Sequence, residues 1–127
     1  PHTIEDKEKE FDYATFGVVG MESAFPVLLT ELVKADVLSL EKLLELLTRG
    51  PAEVLGLEPP LYGPGIVKGA RADMVVLDVE REWVMDASNF ASKGRNCPFD
   101  GRRVYGRGHY IFKNGKVKYA LAGGGRD

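Results

Sequence analysis

The first half of the chain carries two stretches in which apolar side chains recur at helical spacing. Residues three or four positions apart share one face of an α-helix, so an i, i+3, i+4, i+7 repeat indicates a helix with one buried face. The two repeats are Phe25, Leu28, Leu29 and Leu32, and Leu40, Leu43, Leu44 and Leu47. Ser23 and Ser39 are predicted to cap these helices. Glu45 and Arg49 are predicted to form an ion pair on the second helix.

Glycine and proline mark the ends of this helical region. Gly50 is predicted to end the second helix, and Gly56 to end a short third helix that follows it. Residues 58–65 then carry three prolines and two glycines, which is the composition of a boundary. We therefore predict two domains, residues 1–57 and residues 58–127.

The second half of the chain alternates short β-branched or aromatic stretches with glycines, a pattern typical of strands. The predicted strands cover residues 65–68, 72–78, 82–85 and 104–105. An Asn-Gly pair at residues 114–115 suits the two left-handed positions of a type I′ hairpin turn. This turn places Phe112 opposite Val117. It also places Tyr110 opposite Tyr119, and that side of the hairpin is predicted to be buried. Helices followed by an antiparallel sheet indicate, from pattern alone, an α+β arrangement.

Composition and charge narrow the class of protein. Hydrophobic residues make up 44% of the chain and charged residues 28%, the balance of a globular protein in solution. The net charge is -2 and the basic residues are scattered, so we expect no nucleic-acid partner. No stretch approaches the roughly 18 apolar residues of a membrane span, and we expect no membrane partner. The single cysteine, Cys97, fits a reducing compartment, so we predict a cytoplasmic location.

Few residues carry recognisable chemistry by themselves. His2 and His109 are the two histidines, too few for a self-contained metal site. His109 is predicted to lie exposed on an edge strand, and Cys97 to be a small packed side chain. Gly17 and Gly20 lack the lysine and hydroxyl residue of a phosphate-binding loop. From these residues alone the function stays open.

Four motifs, however, closely resemble bacterial-type (class I) dihydroorotases of the amidohydrolase superfamily. They are Pro-His-Thr-Ile-Glu-Asp-Lys at residues 1–7, Tyr-Ala-Thr-Phe-Gly-Val-Val-Gly-Met-Glu-Ser-Ala-Phe-Pro at 13–26, Ala-Asp-Met-Val-Val-Leu-Asp at 72–78, and Ser-Lys-Gly-Arg-Asn-Cys-Pro-Phe at 92–99. The first two point to dihydroorotase itself, whereas the alanine-aspartate strand recurs among hydantoinases, dihydropyrimidinases and allantoinases. The chain departs from the family at Thr15, where proline is usual, and at Cys97, where threonine is frequent.

The resemblance implies an α/β fold class, as a carboxy-terminal segment of a (β/α)₈ amidohydrolase barrel, or TIM barrel. Residues 1–57 would supply the terminal loop and helices of the barrel, and residues 58–127 would supply strands of the flanking β-sandwich. An apolar helical face would then be left uncovered in this chain alone. That face is built around Leu28, Leu32, Leu43 and Leu47.

The resemblance also implies an activity. Dihydroorotases are zinc hydrolases that interconvert N-carbamoyl-L-aspartate and L-dihydroorotate in pyrimidine biosynthesis. In the family, the metal ligands and the proton-shuttling aspartate come before the opening motif, so this segment is expected to hold no catalytic residue and no metal, and to be inactive alone. Its expected contribution is substrate binding. His2 matches a histidine that contacts the substrate carboxylate, and Phe16 and Gly17 match a loop whose backbone contacts the pyrimidine ring; core packing is the alternative role for Phe16.

Several partners and alternatives follow from the same resemblance. Expected partners are the small-molecule substrate, the amino-terminal remainder of the enzyme, a second copy of the chain, and aspartate transcarbamoylase. One alternative is a non-catalytic dihydroorotase-like partner of aspartate transcarbamoylase. Another is a hydantoinase, dihydropyrimidinase or allantoinase, against which His2 and the Phe-Gly loop argue.

Overall fold

The computed structural model describes residues 2–57 and 65–121, which form a mixed α/β structure. Helices occupy the first described range and an antiparallel sheet the second. The helices are α1 (Ile4–Lys7), α2 (Ala24–Leu28), α3 (Leu40–Leu47) and α4 (Arg49–Val54). The strands are β1 (Met74–Val84), β2 (Arg103–Lys113) and β3 (Lys116–Ala120), in the order β1-β2-β3. The predicted domain border falls between residues 57 and 58, and residue 58 lies outside the described residues.

The two predicted helices form, but only one begins as expected. Ser39 caps α3 by accepting a hydrogen bond of 3.2 Å from the Lys42 amide, and the Glu45 and Arg49 ion pair forms at 2.7 Å. The predicted cap at Ser23 is wrong. Its buried hydroxyl instead donates backwards to the Val19 and Gly20 carbonyls.

The helix that begins at Ala24 changes its winding after one turn. A π-helical turn, Leu29–Val33, follows α2 directly. The Thr30 hydroxyl donates to the Pro26 carbonyl at 2.7 Å and accepts the Tyr105 amide of β2 at 2.8 Å. This hydroxyl therefore joins the helix to the sheet.

Helix α4 begins one residue before Gly50, so the prediction that Gly50 ends the second helix is wrong. The break comes at Thr48, whose φ of -130° and ψ of -82° interrupt helical winding. Gly56 does follow the end of α4, at a φ of +61°.

The sheet has fewer and longer strands than the pattern predicts. Residues 65–68 form bends and turns and not a strand. The predicted strands at 72–78 and 82–85 merge into β1, with an irregular register between Asp78 and Glu82. There the Asp78 carboxylate accepts the Glu80 and Arg81 amides, at 3.2 and 3.1 Å, so a local side-chain turn replaces ladder pairing.

The hairpin between β2 and β3 forms at the predicted turn, because Asn114 and Gly115 both adopt positive φ. Phe112 pairs with Val117 as predicted. The predicted partner of Tyr110 is wrong, since a bulge shifts Tyr119 opposite Ile111. The prediction of a buried side is also wrong in this chain, where every residue of β3 is exposed.

His109 lies on β2, which is the central strand and not an edge strand as predicted. It is half-buried and stands at the register shift where Val76 pairs with Tyr110 and Leu77 with Gly108.

The core lies between α2 with the loop before it, the start of β2, and the loop that joins β1 to β2. Its buried members are Val19, Val27, Met85, Ala87, Phe90, Cys97 and Val104. Cys97 is packed here as predicted, with its sulfur 3.8 Å from that of Met85. The predicted uncovered leucine face is covered in part: Leu43 is 1% exposed, Leu28 and Leu32 are half-buried, and Leu47 is 39% exposed. No helix in the two described ranges is long and apolar enough to cross a membrane.

Asp73 of the alanine-aspartate strand anchors the hairpin turn. Its carboxylate accepts the Asn114 amide at 2.7 Å and the Lys113 ammonium at 2.8 Å, and it pairs with Arg71 at 2.7 Å. The backbone hydrogen bond from Asn114, and then the one from Lys113, lower the pKa of the Asp73 carboxyl.

We expect Asp73→Asn to lower the free energy of unfolding by an amount that depends on pH. A carboxyl whose pKa is lowered by folding stabilises the protein above its ordinary pKa of about 3.9, and this contribution is lost as the pH falls through the lowered value. The stability difference between the wild type and the variant should therefore be full at neutral pH and shrink below about pH 4. Urea unfolding between acid and neutral pH would measure it. An equal difference at all pH values would contradict the anchoring role.

Candidate functional site

Three separated segments of the chain line one open cleft of about 180 Å³. They are the segment at α1, the loop at residues 16–19 and the loop that ends at Asn96. The lining residues are His2, Lys7, Phe16, Gly17, Val18, Val19 and Asn96.

The first segment is positioned by the cap of α1. The Thr3 side chain accepts the Asp6 amide at 3.2 Å, and the Asp6 carboxylate accepts the Thr3 amide at 3.3 Å, which forms a reciprocal capping box. The hydrogen bond from the Thr3 side chain lowers the pKa of the Asp6 carboxyl, followed by that from Lys9. His2 lies exposed immediately before this cap.

The second segment is a loop whose two ends are held by backbone hydrogen bonds. The Thr15 amide donates to the Asp6 carbonyl at 3.3 Å, and the Val19 amide donates to the Asn96 carbonyl at 3.3 Å. Val19 is buried in the core. Gly17 between them has a φ of +103°, a conformation that residues with a Cβ rarely adopt.

The carbonyls of this loop accept hydrogen bonds from the two other segments. The Lys7 ammonium donates to the Thr15 carbonyl and, at 2.6 Å, to the Gly17 carbonyl. The Asn96 amide side chain donates to the same Gly17 carbonyl at 2.7 Å. By contrast, the backbone amides of Phe16, Gly17 and Val18 donate to no acceptor within the described part of the chain.

The third segment is fixed by Glu22, which lies just before α2. Its carboxylate accepts the Ala91 and Ser92 amides at 2.9 and 3.0 Å. The Arg95 guanidinium folds back onto the Ser92 and Gly94 carbonyls. With Cys97 buried at the other end, this loop presents Arg95 and Asn96 towards the opening segment.

A second depression, of about 310 Å³, shares three residues with the first and adds one cation, Arg95, and one carboxylate, Glu8. His2, Lys7 and Asn96 line both depressions. Arg95 and Glu8 line only the second. Among the nine ion pairs found in residues 2–57 and 65–121, none involves Lys7 or Arg95. Two cations without a carboxylate partner in these ranges, beside an exposed imidazole, are suited to attract an anion.

The structure brings together all three residues predicted to bind substrate, since His2, Phe16 and Gly17 line the same cleft. The alternative role for Phe16 in the core is wrong here, because its side chain is 88% exposed. Their contact with substrate stays a prediction. Sequence reasoning missed Lys7 and Asn96, although both stand within recognised motifs, because nothing in those motifs shows which backbone groups their side chains reach.

The described residues do not form a complete zinc site by themselves. Within residues 2–57 and 65–121, no three His, Cys, Asp or Glu side chains come together in a way that could hold a metal ion.

Comparison with known proteins shows which proteins the chain resembles. No family model matches the chain. It is 43% identical to the dihydroorotase of Geobacillus sp. (strain WCH70) over 92% of its own length. It is 39% identical to the dihydroorotase of Clostridium botulinum (strain Eklund 17B / Type B) over 94%. The chain spans only 26% and 28% of the length of these curated relatives.

Solved structures agree in fold. An L-hydantoinase (dihydropyrimidinase) from Arthrobacter aurescens superimposes with a TM-score of 0.80 and 34% identity, over 92% of this chain and 26% of that one. A D-hydantoinase from Bacillus sp. AR9 superimposes with a TM-score of 0.76 over 87% of this chain and 24% of that one, at 22% identity, and so supports the fold alone. The predicted α/β class, as a partial barrel and sandwich segment, is confirmed. These likenesses support the recognition of the chain as a carboxy-terminal segment of a dihydroorotase-type amidohydrolase.

Proposed function

We propose that this segment is the substrate-positioning wall of a dihydroorotase. The complete enzyme would interconvert N-carbamoyl-L-aspartate and L-dihydroorotate, as a cytoplasmic step of pyrimidine biosynthesis. One observation supports the proposal: His2, Phe16 and Gly17 line a single cleft, in a chain similar to dihydroorotases.

The cleft offers the groups that this substrate pair needs. Both compounds carry carboxylates, which a protonated His2 imidazole would bind by a charge-assisted hydrogen bond. Lys7 and Arg95 line the same basic depression and would favour an anion there. The amides of residues 16–18 are available to donate to ring oxygens, and Gly17 lets the backbone approach a ligand closely.

The remaining parts of the site are proposed to lie outside this segment. Zinc in the complete enzyme would supply a hydroxide near neutral pH and polarise the amide carbonyl. Its ligands and the proton shuttle would come from the amino-terminal remainder, so the 127-residue segment alone would be inactive. Residues 1–57 would complete the barrel and residues 58–127 the β-sandwich. A second copy of the enzyme and aspartate transcarbamoylase are further proposed partners.

We expect His2→Ala in the complete enzyme to lower kcat/KM for dihydroorotate. A hydrogen bond to a charged group contributes about 2 kcal/mol, which corresponds to a loss of about thirtyfold. His109→Ala is the matched control, since His109 lies on β2 and does not line either depression. Steady-state kinetics of the two variants would measure the effect. Equal losses in both, or no loss in the first, would contradict a substrate contact at His2.

A second candidate function is hydantoin hydrolysis, which the structural likeness to the L-hydantoinase favours. Turnover of dihydroorotate and hydantoin by the complete enzyme decides between the two. Preference for hydantoin would refute the dihydroorotase proposal. Turnover of neither compound by the zinc-loaded protein would favour a non-catalytic relative that binds a partner enzyme.

A further inference from the structure

We propose that Lys7 and Asn96 are positioning residues that together clamp the loop at Phe16 and Gly17 in its substrate-binding shape. The inference rests on the proposed function and deepens it, because it assigns roles to two residues behind the proposed contact groups.

The clamp consists of two donors that converge on one acceptor. The Lys7 ammonium and the Asn96 amide approach the Gly17 carbonyl to 2.6 and 2.7 Å. A carbonyl oxygen has two lone pairs, so these two bonds complete its capacity. The Lys7 ammonium also donates to the Thr15 carbonyl, so that a single side chain spans both sides of Phe16.

Both donors are themselves held in place. Lys7 is the last residue of α1, whose start is fixed by the Thr3 and Asp6 capping box. Asn96 precedes the buried Cys97 and also accepts the Val19 amide on its backbone carbonyl. Through these two hydrogen bonds, the loop at Phe16 and Gly17 is attached both to α1 and to the core.

The loop needs such a clamp because its side chains are not held by packing. Gly17 adopts a φ of +103° and an added Cβ would meet nothing within 4 Å, so packing does not hold it. Phe16 and Val18 beside it are 88% and 64% exposed. The Thr15 and Gly17 carbonyls are hydrogen-bonded, whereas the amides of residues 16–18 have no acceptor within the described part of the chain.

The test compares variants of the complete enzyme. Lys7→Met and Asn96→Ala each remove one arm of the clamp, and Asn96→Asp keeps the side-chain shape without its donors. Lys42→Met and Asn89→Ala are matched controls, since Lys42 pairs with Glu45 on α3 and the Asn89 amide donates to Asp86. Melting temperatures establish that each variant is folded.

Two readouts are measured on each folded variant. The first is hydrogen exchange of the peptide that contains residues 15–19, which needs no substrate. The second is the steady-state kinetics of dihydroorotate. We expect the clamp variants to exchange faster in this peptide and to raise KM about tenfold with kcat within about twofold, as a misplaced binding group does. The controls should match the wild type in both readouts.

The double variant Lys7→Met with Asn96→Ala tests whether the two residues act on the same group. Its rise in KM should be smaller than the product of the single rises, because the first change already releases the carbonyl. A rise in KM equal to the product of the two single rises would overturn the shared clamp. Faster exchange with unchanged KM would overturn the positioning role, and unchanged exchange would overturn the clamp itself. A rise in KM in Lys42→Met would show that the loss of any positive charge has this effect, and would also overturn the clamp.

Failure of the proposed function is distinguishable from failure of the clamp. A wild-type enzyme that does not turn over dihydroorotate would remove the proposed substrate. The exchange measurement would still support or overturn the clamp in that protein.

Discussion

Replacing Gly106 by alanine should destabilise the protein by about 3 kcal/mol. Gly106 has a φ of +88°, where a Cβ is strained, and an added Cβ would lie 2.4 Å from Leu29 Cδ2 and 3.0 Å from Phe25 Cε1. Both side chains belong to the helix that packs on β2, and Leu29 is 1% exposed. The helix would have to move away from the sheet. The hydrogen bond of 3.0 Å that the Trp83 indole donates to the Gly106 carbonyl would also be weakened.

Gly108→Ala is the matched control on the same strand. An added Cβ there would lie 3.9 Å from Val75 Cγ2, which is ordinary contact, and Gly108 is not at positive φ. We expect it to change stability by less than about 1 kcal/mol. Urea unfolding of both variants measures the contrast. Similar losses at the two positions would show that the close helix contact at Gly106 is not what stabilises this strand.

Leu43→Ala should cost a similar amount, about 3 kcal/mol, because the side chain is almost completely buried at 1% exposure. Helix α3 packs against the π-helical turn and α4, so truncation leaves a cavity between these elements. Denaturant unfolding of the 127-residue chain would measure the loss.

Leu46→Ala is the comparison on the same helix, since Leu46 is 50% exposed. Its loss in this chain should stay below about 1 kcal/mol, because little apolar surface is uncovered by the change. Equal losses for Leu43 and Leu46 would mean that the outer face is also covered, for instance by a second copy. In the complete enzyme we expect Leu46→Ala to cost more, since the proposed barrel would cover this face.

The candidate site was predictable only where the family resemblance gives a residue a role. His2, Phe16 and Gly17 were assigned by resemblance, and the structure places them in one cleft. The two donors to the Gly17 carbonyl lie 10 and 79 positions away in the chain. Neither periodicity nor motif shows such contacts, because a side chain that reaches a backbone carbonyl leaves no pattern in residue types.

The sequence by itself determined the local elements whose cause is local. Leucine spacing and the Ser39 cap predict α3, and the Asn-Gly pair predicts the hairpin turn, since each depends on groups a few residues apart. Tertiary structure decided the rest. The merging of two predicted strands into β1 and the hydrogen bond from Asn96 to the Gly17 carbonyl depend on partners that are distant in the chain. The bulge that moves Tyr119 opposite Ile111 and the hydrogen bond from Lys7 to Gly17 join groups eight and ten positions apart that no local pattern pairs. Their energies are gained only when the chain has folded.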